Sequence, residues 1–262
     1  MRTIASDLRG SRELAWRLIV RDIQTRYRQS ALGLVWTLVP PIVTAIIFIF
    51  LNRQKILNVS SGEIPYPVFA LVGAITWQVF VESTTTPLRV VRQNLAIVSK
   101  VAVPIEAFVM ASMGQVAFTT LIQYSVVLVI LAVAGIPFSL GFVAALGTLA
   151  LLLVLGTTLG LLLVPLGALY TDIERGMETA LRFWFFVTPV VYPTPQSGVL
   201  SWIFAINPVS PFITVTRGLL TGSAVEGVGS LALVSGLALV GLGFATILYR
   251  LSVPVFLERS TA

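Results

Sequence analysis

The sequence predicts an all-α fold: a polytopic membrane protein with six transmembrane helices, an amphipathic helix at its N-terminus, and short re-entrant helices between spans five and six. Three observations predict it. The 65 residues from Ala107 to Thr171 contain no Asp, Glu, Lys, Arg or His, and a bilayer core about 30 Å thick needs about 20 apolar residues per crossing. Of the 262 residues 56% are apolar and 11% charged, with a mean hydropathy of +0.95, whereas soluble domains average about a quarter charged. Finally, the charge-free stretch from Phe183 to Thr216 is cut by Pro189, Pro193, Pro195, Pro208 and Pro211, a series no straight helix can hold.

Composition also excludes chemistry. Cysteine and histidine are both absent, which removes disulfides, thiolates, and the commonest metal ligand and general base. No Gly-rich loop carries the Lys and Ser/Thr of a nucleotide site, and no catalytic triad can be assembled. The 17 Lys and Arg against 11 acids would suit nucleic acid in a soluble chain; in a membrane protein their placement matters more. Met1 to Gly10 lacks the short apolar core of a cleaved signal peptide, so the first membrane helix is expected to remain in the mature protein.

Residues 11–29 read as a helix lying on the membrane: Trp16, Ile19, Val20, Ile23 and Tyr27 recur at helical spacing beside a polar stripe of Glu13, Arg17, Arg21, Gln24 and Arg28. Taken alone, these residues also suit a plain positive-inside anchor. Ala31 to Leu51 is the first span, kinked or started late by Pro40 and Pro41. Val68 to Val81 is a shorter second span closed by Glu82. Thr86 and Pro87 form an N-cap and first-turn pair, predicting a separate amphipathic helix of about 15 residues with Leu88, Val91, Leu95 and Val98 on one stripe and Arg89, Gln93 and Lys100 elsewhere. A surface linker helix would look the same.

Gly135, Ile136 and Pro137 turn the long apolar stretch into a hairpin of spans three and four, about 105–134 and 140–168. Gly156 and Gly160 have the small-xxx-small spacing that lets backbones approach. Asp172, Glu174, Arg175, Glu178 and Arg182 form a mixed-charge cluster that belongs outside the hydrocarbon. A fifth span is expected at about 177–192, broken or re-entrant helices at 197–220, and the sixth span at Gly227 to Tyr249. Of the 17 basic residues, all but Arg53, Lys55 and Arg217 fall on one side of this topology, which predicts cytoplasmic termini.

With neutral span interiors the sequence argues against an ion-coupled carrier, and energy is expected from a gradient or another chain. Phe183, Trp184, Phe185, Phe186 and Tyr192 crowd the fifth span, Trp36 opens the first and Trp77 sits in the second. Such rings can stack on sugars and line a wide conduit, although Trp36 and Trp202 better suit an interfacial belt or ordinary packing.

Ordered motifs carry a resemblance over almost the whole chain. They are Arg21-Asp22-Ile23 with Arg26-Tyr27-Arg28-Gln29-Ser30, Leu32-Gly33, Trp36 and Pro40; then Asn94 to Pro104 with Glu106, and Tyr170-Thr171-Asp172-Ile173; and last Thr188-Pro189-Val190-Val191-Tyr192-Pro193 and Asn207-Pro208 with Pro211 and Arg217. Together they resemble the permeases of ABC-2 type exporters of O-antigen, capsular polysaccharide or teichoic acid; Thr188 departs from the Ser often found there and keeps the hydroxyl. The resemblance implies a division into a cytoplasmic interface or gate helix, 1–30, and a six-helix transmembrane domain, 31–262, with a coupling helix at about 86–101. It implies a non-catalytic, homodimeric permease in the cell inner membrane. Two copies of an ABC ATPase subunit would carry the ATP and magnesium, and the cargo would be a lipid-linked polysaccharide; neither a cofactor of its own nor nucleic acid is implied. Arg26, Tyr27 and Arg28 are the implied lipid-pyrophosphate entrance, since Arg binds phosphate bidentately. Trp36, Trp77, Phe183, Trp184, Phe186 and Tyr192 are the candidate conduit aromatics. Arg89, Leu95, Val98, Lys100, Asp172 and Glu174 are the candidate contacts to the ATPase. A drug or lipid exporter of the same architecture, or a non-transporting scaffold, are the alternatives.

Overall fold

Helices form wherever the sequence is apolar and unbroken, and prolines decide where they start and stop. The computed structural model describes residues 4–28, 33–56, 64–98, 105–170, 172–194 and 198–260, without the side chains of 4–11, 26–28, 95–98, 105–106, 199–200 and 253–260. Nine α-helices are present among the described residues, and no strand. Helix α1 (Ile4–Arg28) is followed by a short 3-10 turn (Gly33–Thr37), then α2 (Val39–Arg53), α3 (Tyr66–Val98), α4 (Ile105–Val133) and α5 (Gly141–Leu169). Helix α6 (Asp172–Phe186), the short α7 (Val199–Ile206) and α8 (Ser210–Thr221), and the long α9 (Val228–Ser260) complete the chain.

Four helices, α3, α4, α5 and α9, are long and apolar enough to cross a membrane. The hairpin of α4 and α5 turns where expected, with Gly135 at φ +75°, a left-handed conformation that favours glycine. Helix α2 starts late, with Pro40 and Pro41 in its first turn, where missing N–H groups cost nothing. Its 15 residues reach about 22 Å, short of a full crossing.

Helix α3 departs from expectation. The short span and the separate amphipathic helix are one rod of 33 residues with Pro87 inside it, roughly 50 Å long. Thr86 caps nothing; it is buried and accepts a hydrogen bond from Arg89. Packing against α5 overrides the proline. Gly160 lies opposite, where an added Cβ would stand 2.3 Å from the Thr84 carbonyl oxygen and 3.1 Å from the Pro87 ring. Gly156 and Gly167 make the same room for Ser83 and Leu88. The small-residue spacing on α5 is thus the seat of the closest helix pair, as lipid-embedded interfaces require. Leu88, Val90 and Val91 are buried inside this chain, so that part of the expected docking stripe serves the fold instead.

Helix α1 packs on α4 through Ala15 and Leu18 against Ala107, Phe108 and Ala111. Ile19 sits on Gly114, while Trp16, placed on the apolar stripe by periodicity, is 65% exposed. Small side chains win the helix contact because they allow close approach, leaving the bulky indole outside. Helix α9 lies along α5, where the Thr158 hydroxyl donates to the Ala238 carbonyl at 3.1 Å.

The fifth span is also shorter than expected. Helix α6 stops at Phe186, and residues 187–192 turn without helix because Pro189 lacks an N–H and disfavours helix in the residue before it. Broken backbone at membrane depth persists only where protein satisfies it, and here three side chains do. Asn207 Nδ2 donates to the Val187 carbonyl at 2.9 Å and to Thr188 Oγ1 at 2.8 Å. Tyr66 donates to the Val191 carbonyl at 2.9 Å. Arg217 donates to the carbonyls of Pro189 and Val190 at 3.3 and 2.7 Å. The expected broken helices after this segment are α7 and α8.

Candidate functional site

A cavity of about 810 Å³ opens between α2, α3 and α6. Pro40, Pro41, Thr44, Ile47 and Phe48 form its α2 wall, Ala74, Trp77, Gln78, Val81 and Thr85 its α3 wall, and Glu178, Leu181, Arg182, Phe185 and Phe186 its α6 wall. Each wall follows from local sequence. Four α3 residues, Ala74, Trp77, Gln78 and Val81, fall at the i, i+3, i+4, i+7 spacing of one helix face, and Glu178, Leu181, Arg182 and Phe185 repeat that spacing on α6. Aromatic contacts hold the walls in register. Phe185 meets Phe48 at 5.9 Å and Trp77 edge-on at 5.8 Å, and Trp184 meets Phe80 edge-on at 5.4 Å. The result is a large pocket with aromatic faces, a few polar groups, and one acid and one base at its rim.

Of the candidate conduit aromatics, Trp77 and Phe186 line this cavity; Phe185, noted in the fifth span but not made a candidate, lines it too, as does Phe48, which the sequence did not single out. Trp184 is held behind the wall, its Nε1 donating to Asn207 Oδ1 at 3.2 Å. Tyr192 packs edge-on against Phe204 and donates to the Phe186 carbonyl. Phe183 (71%), Trp36 (56%) and Trp202 (73%) are exposed on the surface. Phe48 lay in a uniformly apolar run whose inward face no periodicity singles out; only the packing of α2 on α3 does.

Two charges sit where none was expected. Glu82, which closed the second span on paper, lies near the middle of the continuous segment Tyr66–Asn94, so the span interiors are not neutral. Its carboxylate accepts from Thr119 Oγ1 at 2.6 Å, Gln78 Nε2 at 3.2 Å and Gln123 Nε2 at 3.3 Å. Arg217, counted among loop charges, is buried at 6% exposure with its guanidinium 3.5 Å over the Phe69 ring. Carbonyl oxygens and an aromatic face, rather than an acid, hold it.

At the other end of α3 a second polar cluster joins three helices. Arg21 pairs with Asp22 at 2.7 Å and donates to Asn94 Oδ1 at 3.0 Å, and Gln115 Nε2 donates to Asp22 Oδ2 at 2.8 Å. Asp22, Thr25, Arg89, Gln93 and Gln115 line a small pocket of about 290 Å³ there. Arg92 of α3 forms an ion pair with Glu174 of α6, which lies beside the exposed Asp172 in the first turn of α6. The side chains of Arg26, Tyr27, Arg28, Leu95 and Val98, and the whole of Lys100, lie outside the described residues.

Four helices long and apolar enough to cross a membrane, with a partly aromatic cavity between helices, suit the class of membrane translocation subunits. Comparison with known proteins gives the class its name: residues 13–221 match the family described as ABC-2 type transporter, and the chain belongs to that family. It is 28% identical over 202 residues to the O-antigen export system permease protein RfbA of Klebsiella pneumoniae, covering 76% of each chain. It is 26% identical to the protein of the same name from Myxococcus xanthus, over 80% of this chain and 81% of that one. The polysialic acid transport protein KpsM of Escherichia coli is 23% identical over 89% of this chain and 91% of its own.

Proposed function

We propose that the chain is the permease subunit of an ATP-driven exporter that moves a lipid-linked polysaccharide, of O-antigen, capsule or teichoic acid type, out across the cell inner membrane. The observation that carries the reading is the aromatic cavity between α2, α3 and α6, in a chain similar over three quarters of its length to permeases named for O-antigen export. Aromatic faces stack on the apolar faces of sugar rings, and interspersed polar groups exchange bonds with hydroxyls; both let a uniform polymer slide without a deep trap. In this proposal two copies of the permease pair, and two ABC ATPase subunits bind the cytoplasmic side, carrying ATP and magnesium. Both termini face the cytoplasm. Arg26, Tyr27 and Arg28 at the end of α1 meet the lipid pyrophosphate. Arg89, Leu95, Val98, Lys100, Asp172 and Glu174 form the ATPase contact.

Helix α3 supplies the transmission. A push at residues 95–98 travels along an unbroken helix to Trp77 and Gln78 on the cavity wall, and the Arg92–Glu174 pair carries α6 with it. Two walls move together against α2. The test is export of the source organism's own surface polysaccharide after deletion of the gene and its return on a plasmid. Leu95→Asp with Val98→Asp is expected to abolish export while the protein still inserts; unchanged export refutes the coupling assignment. Purification in mild detergent is expected to bring down an ATPase, and its absence argues for the scaffold alternative.

A further inference from the structure

We propose that Glu82 is a positioning residue that fixes the hydrogen-bonding character of the conduit wall, holding the Gln78 amide with its nitrogen turned inward and its oxygen toward the cavity. Gln78 then offers an acceptor to the hydroxyls of a passing glycan. The inference rests on the polysaccharide reading above.

An acidic side chain within an apolar membrane-spanning segment is costly, so its presence needs a reason. Charge pairing is not the reason, since among the described residues no Lys or Arg forms an ion pair with it. Every neighbour within hydrogen-bond reach instead presents a hydrogen: the Thr119 hydroxyl at 2.6 Å, the Gln123 amide nitrogen at 3.3 Å and the Gln78 amide nitrogen at 3.2 Å. The Gln123 nitrogen is itself fixed, because it also reaches the Thr37 carbonyl at 3.1 Å and its side chain is fully buried. At the oxygen that Gln78 and Gln123 share, only an acceptor fits. Gln78 lines the cavity and Glu82 does not, so this amide spans from the buried carboxylate to the conduit. With nitrogen committed to Glu82, its oxygen is the end left for the cavity. A neutral span would leave the amide free to turn either way.

Three variants test this in the deletion strain, with export scored as surface polysaccharide per permease molecule in the membrane. Glu82→Met removes the oxygen shared by the Gln78 and Gln123 nitrogens and frees the Gln78 amide to turn its nitrogen into the conduit. Exchanging one acceptor for a donor is expected to lower export roughly three- to tenfold. Glu82→Gln keeps the acceptor, because its oxygen can take the place shared by Gln78 and Gln123 while its nitrogen donates to Thr119 Oγ1, whose own hydrogen turns to the Val116 carbonyl at 3.0 Å; export is expected to stay within about twofold of wild type. Gln78→Met keeps the length of the side chain and the carboxylate but removes the acceptor, and is expected to lower export as Glu82→Met does.

Wild-type export from Glu82→Met, or a Glu82→Gln variant no better than Glu82→Met at equal membrane levels, overturns the assignment. Recovery in Glu82→Gln is a result that loss of packing would not give, since methionine and glutamine fill similar volumes. Should Glu82→Met fail to accumulate, Gln78→Met decides, and normal export from it overturns the proposal. A deletion that leaves surface polysaccharide unchanged defeats the cargo reading and takes the glycan role with it, whereas the variant results bear on Glu82 alone.

Discussion

Arg217 shows what one side chain can carry. It stands on α8, yet its guanidinium closes the carbonyls of Pro189 and Val190 and lies over Phe69 of α3, so one residue joins three parts of the chain. Gly73 makes room for it: an added Cβ there would stand 1.9 Å from the Val190 oxygen and 2.5 Å from Arg217 Nη2. Arg217→Met leaves two buried carbonyls without partners, at about 1–3 kcal/mol each. The thermal midpoint in detergent is expected to fall by roughly 5 °C or more. Arg217→Lys recovers little of this, since an ammonium lacks the planar fork and stacking face of the guanidinium; a lysine variant melting like wild type would show that charge alone holds the turn. The sequence names Arg217 and Pro189 but cannot join them, because the contact spans 28 residues and depends on how α8 folds back.

At the scale of elements, the pair α3 and α5 sets the fold. Gly160→Ala puts a methyl against the Thr84 backbone, which moves only if the helix moves, and is expected to cost about 1–3 kcal/mol. Gly147 on the same helix faces open space. Gly147→Ala is therefore expected to be neutral or stabilising by up to about 1 kcal/mol through helix propensity. Thermal melts of the two variants, differing by several degrees in opposite senses, check the assignment; equal melts would place the helix contact elsewhere. The Thr86–Pro87 cap shows the complementary error. A Thr-Pro pair is a sound helix start when read locally, yet three glycines on α5 create a groove that fits the continuous helix. Local propensity loses because the packed alternative buries Leu88, Val90 and Val91.

Across the whole molecule, charge placement governs topology and the cavity governs use. The chain has no cysteine, so single substitutions report accessibility without background. Lys55→Cys is expected to react with a membrane-impermeant maleimide in intact cells. Arg175→Cys is expected to react only in inverted vesicles. The reverse pattern would place the polar cluster of α1, α3 and α4, with the Arg92–Glu174 pair, outside and end the ATPase-docking proposal. Ile46 and Phe50 of α2 and Phe183 and Phe186 of α6 are exposed apolar side chains, and Phe186 also lines the cavity.

Much was determined by the sequence alone: an all-helical membrane protein, the α4–α5 hairpin, the late start of α2 and the broken segment after α6. These follow from composition, from long runs without charge, and from prolines and glycines, all of which act over a few neighbours. Tertiary structure alone decided that α3 runs unbroken past Pro87, that Glu82 and Arg217 lie inside rather than at the ends, and that Phe48 and Phe185 join Trp77 around one cavity. Each of those outcomes depends on which distant backbone comes close enough to satisfy a carbonyl or leave room for a ring, and distance in space is not written in the spacing of residues.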